Sequence, residues 1–178
     1  MPLTLDRDAY LRGLVRDVPD FPKPGIVFKD ITPLLGNPRA LHTILDAMHV
    51  AWVDRRIDTV VAIESRGFIF GAALAARLNA AFVPVRKPGK LPWKTDRVSY
   101  ALEYGEGHLE MHVGSLATGA RVLVVDDLLA TGGTAAAAAA LASSQGGEVI
   151  GYAFVIELAF LAGRQKLAGE VSSLLVYR

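Results

Sequence analysis

Apolar residues follow two patterns along the chain. Near the start, Leu11, Leu14 and Val15 recur at helical spacing within residues 5–16, which predicts a helix. Pro19, Pro22, Pro24 and Gly25 then predict a rigid connector over residues 17–25. Asn37-Pro38 supplies a cap and a first-turn proline, and Leu41, Ile44, Leu45, Met48 and Trp52 mark one face of a second helix. His42 and His49 flank that stripe without metal-ligand spacing and read as helix-surface residues. From residue 58 the pattern changes to short, wholly apolar runs, each followed by turn residues and then by helix formers. Thr59–Ile63, Ala81–Val85 and residues 122–125, 149–156 and 173–176 are predicted strands, with Ala-rich helices at Gly67–Leu78 and 134–143. Strands apolar on both faces that alternate with helices predict an α/β fold, a central, mostly parallel twisted sheet flanked by helices. Residues 86–113 differ: a basic Pro/Gly loop precedes two short strand-like runs joined through Gly105-Glu106-Gly107, which predicts a hairpin behind a mobile loop. Residues 158–178 read as a final helix and strand.

Composition adds exclusions. The 178 residues predict one domain, 1–178, against a usual size of about 150. A hydrophobic content of 52% with only 8% aromatic describes a core of Ala, Val, Leu and Ile and rules out disorder. The net charge of +1 gives no global electrostatic case for nucleic acid or an anionic membrane. With no cysteine, disulfides, thiolate metal sites and cysteine nucleophiles are excluded. Residues 1–8 lack an apolar stretch behind a basic start, so no signal peptide and a cytoplasmic location are expected. Residues 128–147 are uncharged but rich in Gly, Thr, Ser and Ala, and residues 149–163 are too few and contain Glu157, against about 20 apolar residues for a membrane span. Both read as buried core.

Neutrality conceals opposite local charges. Residues 86–97 carry Arg86, Lys87, Lys90, Lys94 and Arg97 against Asp96 alone, whereas Asp126 and Asp127 are the only charges of residues 122–147. In an open α/β sheet ligands collect at the carboxyl ends of strands. After the run at 122–125 come two adjacent acids, then Leu128-Leu129-Ala130-Thr131-Gly132-Gly133-Thr134, then a polyalanine helix. The small residues Ala130, Thr131, Gly132, Gly133 and Thr134 let backbone N–H groups converge on an anion at a helix N-terminus, a phosphate cradle. The segment lacks the P-loop and dinucleotide-binding glycine patterns. Acids beside a phosphate repel it unless they face hydroxyls of the same ligand, so Asp126 and Asp127 fit the vicinal hydroxyls of a ribose 5-phosphate and would favour positive charge developing at its anomeric carbon. Ser65-Arg66-Gly67 lacks a glycine two positions before the serine, which argues against a hydrolase elbow. His108-Leu109-Glu110-Met111-His112 is not a metalloprotease pattern; on a strand its polar residues share a face expected to meet solvent.

The thirteen-residue segment 122–134 closely resembles the phosphoribosyl diphosphate motif of the type I phosphoribosyltransferases, in the version carried by the adenine phosphoribosyltransferases. Further matches are Phe21-Pro22-Lys23-Pro24-Gly25-Ile26-Val27-Phe28-Lys29-Asp30, Ser65-Arg66-Gly67-Phe68, Val85-Arg86-Lys87-Pro88-Gly89-Lys90-Leu91-Pro92 and Leu102-Glu103-Tyr104-Gly105. The resemblance implies transfer of phosphoribosyl from phosphoribosyl diphosphate to adenine, giving AMP and diphosphate, by a homodimer. Magnesium would be held mainly through the substrate diphosphate and ribose, with no direct protein site expected. Residues 1–37 become a hood and residues 86–113 the catalytic loop plus hairpin.

Ser65, Arg66 and Gly67 can spread diphosphate charge over N–H donors and a guanidinium, and the resemblance adds a cis non-proline peptide near Ser65. It makes Lys87 and Lys90 the best diphosphate contacts of a lid that excludes water. It also places Glu103 near adenine N7 as general acid, with Tyr104 supporting the loop. Adenine offers an amino donor and a ring acceptor that one C=O and one N–H two residues apart can read; Val27 and Lys29 suit that edge, with Phe28 stacking on the purine. Glu64, Trp93 and Lys94 receive no role. Two alternatives remain: a phosphoribosyltransferase for a 6-oxopurine, distinguished at residues 27–29, and a non-catalytic phosphoribosyl diphosphate sensor, which would need a nucleic-acid-binding surface that this charge does not supply.

Overall fold

The computed structural model describes residues 6–101 and 106–178. The chain forms two compact units, Met1–Ala47 and Met48–Arg178. In the first, Asp6 accepts the Asp8 N–H at 3.1 Å and caps α1 (Arg7–Arg12). The helix is shorter than its apolar spacing predicts, because the chain then enters β1 (Arg16–Pro19), which pairs antiparallel with β2 (Val27–Asp30). A strand therefore occupies part of the expected connector. Cross-strand ion pairs fasten it, Arg16 to Asp30 and Lys29 to Asp17, each at 2.6 Å, and Pro19 is tolerated because each strand of a two-stranded sheet is an edge. After α2 (Thr32–Leu35), the Asn37 side chain accepts the Ala40 N–H at 3.1 Å and starts α3 (Pro38–Trp52), whose Ile44, Leu45, Met48 and Trp52 are buried as the periodicity predicts.

The second unit contains β3 (Thr59–Ile63), α4 (Gly67–Leu78), β4 (Ala81–Val85), β5 (Thr95–Ala101), β6 (Glu106–His112), β7 (Arg121–Leu129), α5 (Gly133–Ser144), β8 (Glu148–Leu158) and β9 (Glu170–Tyr177). Five strands form one parallel sheet in the order β4-β3-β7-β8-β9. α4 covers one face, where a Cβ on Gly71 would meet Ala62 and Val60. α5 covers the other, its alanines sharing a core with Val61, Ile63 and Val124. From β3 the chain winds outward through α4 to β4, and from β7 it winds the opposite way through α5 to β8. The crevice at the carboxyl ends of β3 and β7 is thus the switch point where such sheets bind ligands.

Three local expectations change. β7 does not stop at Val125 but continues through Asp126 and Asp127 to Leu129, because β8 runs alongside and pairs Glu157 with Leu129. The expected last helix is replaced by two short 3₁₀ turns, Ala159–Leu161 and Gly163–Lys166, with Ala162 at φ 53° between them. β5 and β6 form the predicted hairpin, yet Glu110 is only 5% exposed, covered by the loop that follows β4. No helix among the described residues is long and apolar enough to cross a membrane.

Candidate active site

Parallel pairing aligns Ala62 of β3 with Val125 of β7, so the turn after β3 and the acids of β7 emerge side by side. Glycine at 67 allows this approach: a Cβ there would lie 2.8 Å from Asp126 Oδ1 and 2.9 Å from the Val125 carbonyl. The Glu64–Ser65 peptide is cis. Arg66 Nε reaches Asp127 Oδ2 at 2.9 Å, and the Asp127 side chain is 7% exposed. Asp126 accepts the Asp127 N–H at 2.9 Å. Burial raises the carboxyl pKa of both acids; the Asp127 charge lifts Asp126 further, well above the carboxylate range, while Arg66 draws Asp127 partly back. Burial thus disfavours ionisation of both acids, and Arg66 is the cation that favours it.

A cleft of about 560 Å³ opens here, bringing together Ser65, Arg66, Lys87, Asp126, Asp127 and Thr134. Tyr100 stands across it, its hydroxyl 3.5 Å from Thr134 Oγ1. Behind the acids a smaller recess of about 80 Å³ is lined by Ala130, Thr131, Gly132 and Thr134. Gly132 turns the chain at φ 79° into α5, which begins at Gly133. The geometry is that of an anion cradle joined to an acidic floor.

Lys90 does not line the cleft; its carbonyl instead accepts the Arg86 guanidinium at 3.1 Å. Val27, Phe28 and Lys29 lie in the first unit, with Val27 exposed, Phe28 edge-on to Phe21 and Lys29 on Asp17. In its two-stranded sheet β2 pairs with β1. Glu103 and Tyr104 lie outside the described residues.

A family model described as phosphoribosyl transferase domain matches residues 39–172. An adenine phosphoribosyltransferase of Sorangium cellulosum is 70% identical over 159 residues, covering 89% of this chain and 80% of that one. The chain belongs to the adenine phosphoribosyltransferases. The crystal structure of the Thermoanaerobacter pseudethanolicus adenine phosphoribosyltransferase superposes with a TM-score of 0.93 at 48% identity, covering 95% of this chain and 99% of that one. The Saccharomyces cerevisiae adenine phosphoribosyltransferase, 40% identical with a TM-score of 0.90 over 95% of this chain and 98% of that one, was crystallised with an imino-altritol bisphosphate and adenine.

Within this adenine phosphoribosyltransferase, several residues of the site escape sequence reading. Glu64 accepts Arg86 Nε at 2.6 Å, linking the turn after β3 to the root of the basic loop. The parallel register contains the signal, because Ile63 opposes Val85 and their successors must meet. Glu110 receives Arg97 through Oε1 and the Gly89 N–H, at 3.0 Å, through Oε2. Those bonds hold its pKa below the usual value, with Arg97 the main cause. It is a loop anchor rather than the solvent-facing residue that strand alternation predicts. Gly163, far along the chain, packs on the cradle itself. Among the described residues no group of three or more His, Asp or Glu could hold a metal ion.

Proposed function

We infer that the protein transfers the 5-phosphoribosyl group from phosphoribosyl diphosphate to adenine, giving AMP and diphosphate, a purine-salvage reaction. The observation that carries this reading is the meeting of the cradle's recess with the cleft that holds the acid pair and the Ser65-Arg66 turn, the two sharing Asp126 and Thr134. Backbone N–H groups of residues 130–134 and the N-terminus of α5 take the 5′-phosphate. Asp126 and Asp127 accept the ribose hydroxyls, and the acid pair favours positive charge developing at the anomeric carbon. Ser65, Arg66 and Gly67, with Lys87 from the loop, stabilise the departing diphosphate. As the carbon–oxygen bond to diphosphate breaks, its electron pair leaves with diphosphate and the adenine N9 lone pair bonds to that carbon; the imidazole proton that AMP no longer carries is shared at N7 with Glu103 and leaves through it, supported by Tyr104. As the family resemblance implies, adenine is read by the backbone C=O and N–H of Val27 and Lys29, with Phe28 against the ring.

Magnesium fits this chemistry. It would be held mainly through the substrate diphosphate and ribose, since this ion binds substrate phosphates rather than a full protein cage, beside a cleft whose carboxylates are Glu64, Glu106, Asp126 and Asp127. When bound with the donor, it neutralises leaving-group charge. We place the enzyme in the cytoplasm, because a polyanionic donor does not cross a membrane unaided and must share the enzyme's compartment. We further propose a homodimer; Ile69 of α4 and Phe82 of edge strand β4 are large apolar residues left exposed, a face suited to a second copy. Incubation with phosphoribosyl diphosphate and magnesium tests the reaction: diphosphate should appear in step with AMP when adenine is added. Donor binding without product from any purine would instead indicate a sensor.

A further inference from the structure

The segment between β8 and β9 reaches back to the cradle. β8 ends beside β7, and the chain then turns through the two 3₁₀ segments until Gly163 lies backbone to backbone on residues 130–132. A Cβ on Gly163 would overlap the Ala130 carbonyl and lie 2.8 Å from the Gly132 nitrogen; a Cβ on Gly132 would overlap the Gly163 carbonyl. Neither position accepts a larger residue unless the other backbone moves. The neighbouring Arg164 grips Glu157 with two arms, Nε to Oε1 at 3.0 Å and a terminal nitrogen to Oε2 at 2.5 Å. Its third bond, 2.8 Å, goes to the Val171 carbonyl. Glu157 is 5% exposed, near the end of β8, and Val171 belongs to β9. One side chain thus ties the turn to two strands of the sheet and fixes its covalent neighbour, Gly163, in place.

We propose that Glu157 and Arg164 are positioning residues for the phosphate cradle, holding Gly163 against residues 130–132 so that the cradle's N–H groups stay converged before the anion arrives. The inference rests on the reading of residues 130–134 as the 5′-phosphate site. A site whose donors must be ordered during binding loses affinity, and a displacement of about 1 Å is enough for a large loss. Lysine at 164 would keep the charge but lose the planar fork.

Calorimetric titration of AMP and of adenosine, which lacks the phosphate, into the wild type, Arg164→Lys and Gly163→Ala tests this. The wild type should prefer AMP. Both variants should lose at least about tenfold in AMP affinity while adenosine affinity changes less than about twofold. A fork with a merely structural role would lower Tm and the fraction of active protein yet leave the preference of the folded fraction intact; that result in either variant overturns the inference. A wild type that binds AMP no better than adenosine overturns the 5′-phosphate reading and the inference with it.

Discussion

Replacing Asp127 separates catalysis from stability. Its side chain is 7% exposed and pairs with Arg66, which is 35% exposed. Burial disfavours the ionised acid in the free protein, so the pair contributes little to folding, and Arg66 can rehydrate once its partner is gone. Asp127→Ala should therefore move Tm by no more than about 3 °C, the equivalent of about 1 kcal/mol in a chain of this size. Activity should respond far more. A hydrogen bond to a charged acceptor contributes about 1.5–3 kcal/mol, so losing one ribose hydroxyl contact lowers kcat/KM by about 10- to 150-fold. Scanning calorimetry and initial rates on the same preparation measure both quantities. A kcat/KM within about threefold of wild type would refute the ribose assignment. So would a Tm fall of more than about 10 °C with activity lost in proportion, since the acid would then be structural.

Other substitutions probe the remaining parts. Asp126 has a folded-state pKa raised above its unfolded value of 3.8, so its contribution to stability is complete below that value and is lost as pH rises. Asp126→Asn, neutral throughout, should gain Tm over wild type more at pH 8 than at pH 4; an equal difference at both pH values would contradict the burial argument. Glu110, whose pKa is lowered, runs the other way, stabilising above its usual value of 4.5 and losing that contribution as pH falls. Glu110→Ala frees Gly89 and Arg97, so tryptic cleavage after Lys90 and Lys94 should accelerate, and an unchanged rate would mean that the loop is held elsewhere. Glu103→Ala should lower kcat by about 10²- to 10⁴-fold at constant Tm; full activity would remove it from the reaction.

Much of this fold is legible because its core signal is local. β3, α4 and β4 begin and end where the apolar runs and Ala-rich helices place them, since strands buried on both faces leave no other reading. The cradle after β7 is legible for the same reason, with strand, acids, glycines and helix in one continuous segment. What escapes is non-local. β1 exists because β2 lies beside it and ion pairs cross between them, against a proline-rich sequence that predicts only a rigid connector. Glu110 alternates like a surface residue, and only the return of the basic loop buries it. Gly163 carries no local mark of function; its requirement arises from the Ala130 and Gly132 backbones, some thirty residues earlier in the sequence. Register supplies a middle case, since Glu64 and Arg86 meet once Ile63 is known to oppose Val85.

The most direct measurement is a competition assay in which adenine, hypoxanthine and guanine at equal concentration share limiting phosphoribosyl diphosphate and magnesium, with each nucleotide quantified at early time. AMP should be the dominant product and diphosphate should match it mole for mole. Dominant IMP or GMP would contradict the account, as would diphosphate release that does not depend on any purine.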